Sequence, residues 1–165
     1  MRATHLLSLA LLASTLAGCM FQNVSTGERL RDAVTGINDE MRWSRMDLAI
    51  QRVHPTFKEE YAQTHYRWGE IIQIADMDLL NVQLEEDGDA AMSIVAVSWY
   101  RYDTMTLHRT VIRQQWVLVG GAFALEAERV LNGEERLLEP PPLEEEEEEA
   151  ERDDERGSGR VARAP

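Results

Sequence analysis

Residues 114–125 read QQWVLVGGAFAL, and this stretch decides the class of fold. A run rich in Val, Leu and Trp enters the Gly120-Gly121 pair, and a second apolar run leaves it. Apolar runs flanking a short glycine segment are typical of two strands joined by a tight turn. A connection of two residues is too short for a parallel crossover, so this segment predicts an antiparallel hairpin.

The same pattern extends on both sides of this hairpin. Residues rich in Val, Ile, Thr and aromatics predict four strands, at about 71–84, 90–102, 105–119 and 122–131. The segment 85–89 contains the Asp-Gly hairpin signal, Asp103-Thr104 marks the next turn, and Asn132-Gly133 ends the last strand. Because every connection is short, the sheet is expected to be an antiparallel meander, and strands of this length are expected to twist and coil.

Helical segments precede the strands. Ser25 and Glu28 have the spacing of a capping box, and the apolar residues behind them recur every three or four positions. The apolar face shifts near Gly36, so residues 27–52 are expected to form one bent helix or two helices meeting there. A His-Pro pair ends this run, and a short helix is expected over about 56–65.

Helices followed by a meander of long strands resemble the NTF2-like (cystatin-like α+β) superfamily. The stretch 114–125 resembles it too, with Trp116 ending one strand, a glycine turn, and Phe123 opening the next. The resemblance covers residues 27–131 and implies an α+β fold, with N-terminal helices packed on a four-stranded, strongly curved meander that forms an open cone. Such proteins use the cone as an enzyme pocket or a ligand site, or dimerise through the sheet, so the fold does not choose a function.

The first nineteen residues predict export. The apolar run 6–13 is too short to span a bilayer, and the small residues after it complete the layout of a secretory signal peptide. Leu16-Ala17-Gly18-Cys19 resembles the lipobox of bacterial lipoproteins. The resemblance, which extends to small proteobacterial lipoproteins of uncharacterised function, implies cleavage before the cysteine and acylation of Cys19.

Several acyl chains on Cys19 would anchor the protein stably in a membrane of the cell envelope. Met20 stands where an aspartate resembles an inner-membrane retention signal, which favours the periplasmic face of the outer membrane. The predicted organisation is a signal peptide at 1–18, a short tether at 19–26, an α+β domain at 27–133 and a tail at 134–165.

The tail carries most of the charge imbalance. The formal net charge of the chain is −13, and residues 144–149 are six consecutive glutamates. Adjacent like charges repel, so residues 134–165 are expected to be a disordered acidic tail. This tail is a candidate for contact with a basic partner or with divalent cations, the alternative being a merely solvated segment. The acidic balance disfavours nucleic acid as a partner.

Few residue patterns in the chain point to catalysis. No histidine pair has the i, i+4 spacing of a zinc site, and no cofactor motif is present, so neither a metal nor a cofactor is expected. The acid–base candidates, should the protein be an enzyme, are Asp76, Asp78, Tyr100 and His108. The alternative is that the two aspartates mark a bulge or an exposed edge of the first strand.

A further set of aromatic and polar residues is a candidate ligand pocket, with core filling as the alternative. The members are Tyr61, Trp99, Tyr100, Gln114 and Trp116. The sequence as a whole favours a non-enzymatic, membrane-anchored envelope lipoprotein that binds a protein partner or an apolar ligand. The alternatives are a small NTF2-like enzyme with isomerase- or dehydratase-type chemistry, and a structural protein that forms a homodimer through its sheet.

Overall fold

A computed structural model describes residues 24–141 of the chain. The predicted signal peptide, Cys19 and the glutamates at 144–149 lie outside these residues. The first helix, α1, spans Thr26–Arg42 and begins with the expected capping box. Ser25 Oγ accepts a hydrogen bond from the backbone N–H of Glu28 at 3.2 Å, and the Glu28 carboxylate accepts one from the backbone N–H of Ser25 at 2.9 Å. Donors that would otherwise lack partners at the helix start are thereby satisfied.

The chain bends at Ser44 and not at Gly36. Ser44 has a φ of 56°, and after it come the short helix α2, Met46–Ala49, and a 3-10 helix, Ile50–Arg52. Gly36 lies inside α1, where an added Cβ would come 2.8 Å from the guanidinium carbon of Arg52. The expectation of a break at Gly36 is therefore wrong, because this glycine makes room for an arginine that packs across the helix.

The four predicted strands are confirmed, after a third helix, α3, at Lys58–Thr64. The strands are β1 at Ile72–Leu84, β2 at Ala90–Arg101, β3 at His108–Val119 and β4 at Ala122–Asn132. They form one sheet in the order β1-β2-β3-β4, and every neighbouring pair is antiparallel. The third strand begins later than predicted, because residues 102–107 form its connection to β2.

The sheet is open, with β1 and β4 as its two edges. The α+β class is thus established, whereas the strongly curled cone is not confirmed. The register of β1 shifts between Ile74 and Asp76 and again between Leu79 and Asn81. The first of these shifts falls where the sequence indicates a bulge.

The helices pack on one face of the sheet and form a single core with it. Large buried side chains from both layers meet there, among them Leu30, Ile37, Met41, Trp99, Ile112 and Trp116. Alternate residues of the central strands, such as Met92, Ile94, Val111 and Val117, are only half-buried on the other face, which we call the open face. The helices thus cover one face of the sheet, and no described helix packs on the open face.

The domain continues beyond the predicted boundary at residue 133. A 3-10 helix at Glu135–Leu138 buries Leu137, whose carbonyl oxygen accepts a hydrogen bond of 2.9 Å from the indole nitrogen of Trp68. Glu134 also joins the domain, through hydrogen bonds between its backbone and Thr110 Oγ1. The predicted boundary between domain and tail at residue 134 is therefore too close to the N-terminus, because Leu137 within the acidic segment is part of the core.

Candidate functional site

The two aspartates proposed for acid–base chemistry lie on the surface. Arg42 Nη2 is 3.1 Å from Asp76 Oδ1, and Arg109 Nη1 is 3.4 Å from Asp78 Oδ2. Their side chains are 47% and 49% exposed. Acid–base catalysis needs a group held in a water-poor pocket, and these carboxylates are instead hydrated and paired with arginines. The bulge and edge interpretation describes their position.

A cleft at the β2–β3 end of the sheet brings two candidate residues together. The ring of His108 stacks on that of Trp99 with 4.7 Å between centroids. Nδ1 of His108 lies 3.1 Å from Oε1 of Glu134, and the Trp99 indole nitrogen donates to Thr110 Oγ1 at 3.0 Å. The cleft has a volume of about 420 Å³ and is lined by Trp99, Arg101, Asp103, Thr104, Thr106, His108, Glu134 and Arg136. Tyr100 is not among these residues and packs edge-on against Tyr102.

The rim of this cleft is apolar and exposed. Tyr102, Met105 and Leu107 are 56%, 67% and 65% exposed, and Met105 has a φ of 52°. The Arg101 guanidinium holds the base of the connection through two hydrogen bonds to Asp103, at 3.0 and 2.6 Å. These hydrogen bonds are the main cause of a lowered pKa of Asp103. We call residues 102–107 the apolar tip.

A chain of buried hydrogen bonds crosses the core at Gln114. Its amide nitrogen donates to Asn38 Oδ1 and to Glu128 Oε1, both at 2.9 Å. Its amide oxygen accepts from Ser93 Oγ at 2.8 Å, and Ser93 Oγ accepts from the Trp116 indole at 2.9 Å. The Gln114 amide is thus fully partnered, which stabilises it in the core, whereas Glu128 Oε2 has no hydrogen-bond partner within residues 24–141.

The chain of hydrogen bonds ends at a buried histidine and glutamate. His65 Nε2 lies 3.2 Å from Glu128 Oε2, with both side chains 1% exposed, but the atoms are poorly aligned and form no regular hydrogen bond. His65 Nδ1 lies 2.9 Å from the carbonyl oxygen of Tyr61 and 3.0 Å from Thr64 Oγ1, so this nitrogen can donate to the carbonyl or accept from the hydroxyl. The contact with Glu128 therefore places an imidazole nitrogen and a carboxylate oxygen close together in the core, away from water.

Tyr61 completes this cluster. Its ring stacks on His65 with 4.0 Å between centroids, and its buried hydroxyl has no hydrogen-bond partner among the described residues. Burial raises the pKa of Tyr61 well above its usual range, and the negative charges of Glu128 and Glu40 raise it further. The phenol is therefore neutral and is a potential hydrogen-bond donor.

A second cleft, of about 310 Å³, lies against the outer side of Glu128. It is lined by Phe57, Glu60, Thr64, Glu128, Arg129, Val130, Glu135 and Leu138. The C-terminal 3-10 helix thus forms one wall, and Glu128 is the residue through which this cleft borders the buried cluster.

The predicted ligand-pocket residues mostly fill the core. Tyr61, Trp99, Gln114 and Trp116 are all buried, while Tyr100 is half-buried on the open face. Sequence reasoning missed Asn38, Ser93, His65 and Glu128 as site residues. The available signal was a polar residue at inward positions of neighbouring strands, where Ser93 pairs with Gln114 and Gln114 with Glu128 in register.

No group of three or more His, Cys, Asp or Glu residues between positions 24 and 141 is arranged to hold a metal ion. Over the same residues, no helix has both the length and the apolar composition needed to cross a bilayer.

The chain matches no protein-family model, and no curated protein matches it. Its fold is similar to that of a SEC-C motif containing protein from Rhodopseudomonas palustris, with a TM-score of 0.52 and 9% identity over 61% of this chain and 77% of that one. It is also similar to a proposed Ca/calmodulin-dependent kinase II association domain from Exiguobacterium sibiricum. That comparison has a TM-score of 0.55 and 12% identity and covers 74% of this chain and all of that one. At these identities the likeness establishes the fold alone.

Proposed function

We propose that this chain is a membrane-anchored lipoprotein of the bacterial cell envelope, whose domain binds a protein partner without catalysis. The lipobox-like Leu16-Ala17-Gly18-Cys19 supports the anchor, because only a thiol at that position can take the thioether-linked lipid. Met20 supports the periplasmic face of the outer membrane. The order of helices and strands supports an NTF2-like relationship as part of the same proposal.

The observation that carries partner binding is the apolar tip. Tyr102, Met105 and Leu107 expose more than half of their surface at one end of the sheet. Large apolar side chains grouped on a surface mark interaction sites in soluble domains. Aromatic residues and methionine are moreover enriched in protein interfaces, which favours a partner with an apolar contact surface.

The position of the tip favours a protein over a lipid as the occupant. Arg29 Nη1 donates to the carbonyl oxygen of Gly121 at 3.3 Å, which sets the start of α1 beside the β3–β4 turn. The apolar tip lies at the opposite end of β3, a strand of 12 residues, about 40 Å away. A tether of a few residues from Cys19 to α1 spans at most about 20 Å. The tip therefore lies about 40 Å from the end of the domain to which the proposed tether is joined.

Replacement of Cys19 by serine tests the anchor. Cys19→Ser is expected to release the protein from washed membranes into the soluble periplasmic fraction, because the acyl chains have lost their attachment atom. Cell fractionation with detection of both forms by immunoblot measures this. A variant that remains in the membrane after normal signal cleavage contradicts lipid anchoring through this residue.

Site-specific photo-crosslinking in intact cells tests the tip. A photoreactive amino acid in place of Met105 is expected to give one defined adduct, which Leu107→Ser abolishes because it removes apolar contact area. The matched controls are a photoreactive residue at Leu48 and the substitution Leu48→Ser, since Leu48 is exposed on the helical layer. Adducts at both positions, or an adduct at Met105 that is insensitive to Leu107→Ser, contradict specific binding at the tip.

A small acid–base enzyme is the second candidate. It is favoured by the buried contact between His65 and Glu128, beside a cleft of about 310 Å³, and no longer by Asp76 and Asp78. Such an enzyme needs its dyad to be reachable from solvent. Labelling with diethyl pyrocarbonate, followed by mass spectrometry, compares His65 with the more exposed His54. Labelling of His65 in the native state supports this candidate, and complete protection contradicts it.

A further inference from the structure

The open face carries two arginines opposite each other. Arg113 of β3 and Arg129 of β4 are register partners, so their side chains project from the same face at adjacent positions. Arg113 is flanked by Ile112 and Gln114, which are completely buried on the helical face. Like charges directly opposite each other on neighbouring strands destabilise a sheet unless an anion lies between them.

Neither arginine forms an ion pair with another described residue. The ion pairs formed by other arginines include that of Arg109 with Asp78 on the same face. Nε of Arg113 is buried and has no hydrogen-bond partner within residues 24–141. A buried donor without a partner is costly, and a carboxylate is the group that a guanidinium binds best. An anion between the two arginines would offset their mutual repulsion.

The chain itself supplies carboxylates close to this face. Arg129 borders the same cleft as Glu135 and Leu138, so the polypeptide leaves its last described element beside β4. From Pro141, the first glutamate of 144–149 is within about 10 Å along the chain and the last within about 28 Å. Six consecutive glutamates thus begin within reach of two uncompensated arginines.

We propose that residues 144–149 bind intramolecularly across β3 and β4, with their carboxylates on Arg113 and Arg129. The acidic segment then neutralises the arginine pair. This inference is independent of the lipid anchor and of the apolar tip.

Carbodiimide coupling tests the contact in the full chain, purified in uncharged detergent. This reagent joins an amine to a carboxylate without a spacer, and the chain has one lysine, Lys58. Arg129→Lys places an amine at the proposed site and keeps the charge. Arg31→Lys is the matched control, because Arg31 is exposed on α1 in the other layer. Mass spectrometry then measures how much of the 144–149 peptide is coupled to each amine.

We expect at least about tenfold more coupling in Arg129→Lys than in Arg31→Lys, since a docked segment has a high effective concentration at its site. The excess should fall in about 0.5 M salt, which screens the ion pairs. Mixing unlabelled and ¹⁵N-labelled chains separates coupling within a chain from coupling between chains. Equal yields in the two variants, or an excess found only between chains, would overturn the proposal.

Discussion

Nε2 of His65 lies 3.2 Å from Oε2 of Glu128, and each of these side chains is only 1% exposed. His65 follows α3, whereas Glu128 belongs to the edge strand β4, so the contact joins the helical layer to the sheet. Because water cannot replace either group, loss of one partner leaves the other buried without compensation. The pair is thus required for stability whether or not it also takes part in chemistry.

Glu128→Gln is expected to lower the free energy of unfolding by about 3 kcal/mol, because the amide replaces one of the two carboxylate oxygens that face Gln114 and His65 with a donor group. Urea denaturation followed by tryptophan fluorescence measures the loss. Glu126→Gln is the control, since Glu126 is exposed on the same strand. Equal losses in the two variants would show that the buried contact contributes nothing.

Tyr61→Phe is expected to raise the free energy of unfolding by about 1 kcal/mol, because it removes a buried hydroxyl that has no partner among the described residues. Tyr102→Phe, at an exposed position, should leave stability unchanged. The same urea titrations give both values. A clear loss of stability in Tyr61→Phe would mean that the hydroxyl has a partner in solution.

The raised pKa of Tyr61 also predicts a pH dependence. In the unfolded chain this phenol ionises near its usual pKa of about 10, whereas the folded protein keeps it protonated. Ionisation therefore stabilises the unfolded state above about pH 10. The free energy of unfolding falls there by up to about 1.4 kcal/mol per pH unit. The difference in free energy of unfolding between Tyr61→Phe and the natural chain should therefore grow between pH 9 and pH 11. An advantage independent of pH contradicts this linkage.

The C-terminal 3-10 helix should be part of the folding unit. Leu137→Ala is expected to lower the free energy of unfolding by about 3 kcal/mol, because it leaves a cavity in the core. Leu131→Ala, at an exposed position of β4, is the control. Thermal unfolding followed by circular dichroism compares the two variants, and similar melting temperatures would contradict the role of Leu137.

Two shortened chains place the boundary of the domain. A chain that ends after Gly133 should melt well below one that ends after Pro141, because only the longer chain retains Leu137. If both melt together, the 3-10 helix is not needed for the fold.

The features predicted correctly from the sequence depend on residues close together in the chain. Gly120 and Gly121 both have positive φ angles, of 60° and 86°, and a turn that needs them can be recognised from the two letters alone. Ser25 and Glu28 likewise cap α1 through contacts three residues apart. Gly36 was misinterpreted because its role depends on Arg52, which reaches it only after the chain has turned.

The candidate site depends instead on residues that are far apart in the sequence. The acidic residues Asp76, Asp78 and Glu128 all lie on edge strands, yet only Glu128 is buried. Its burial depends on Gln114 and His65, which come from distant parts of the chain, and no local pattern shows that they converge. Leu137 is a similar case. It is an apolar residue in an acidic segment, and its backbone carbonyl accepts a hydrogen bond from Trp68, which is distant in the sequence.

The sequence by itself determined the order of helices and strands, their turns and the prediction of an anchor at Cys19, because spacing, caps and glycine conformations act over a few residues. The tertiary structure alone decided which polar side chains are buried. A buried carboxylate or imidazole needs polar partners that replace its contacts with water. For Glu128 these are the Gln114 amide from β3 and the His65 ring from the end of α3, which meet only when the chain is folded.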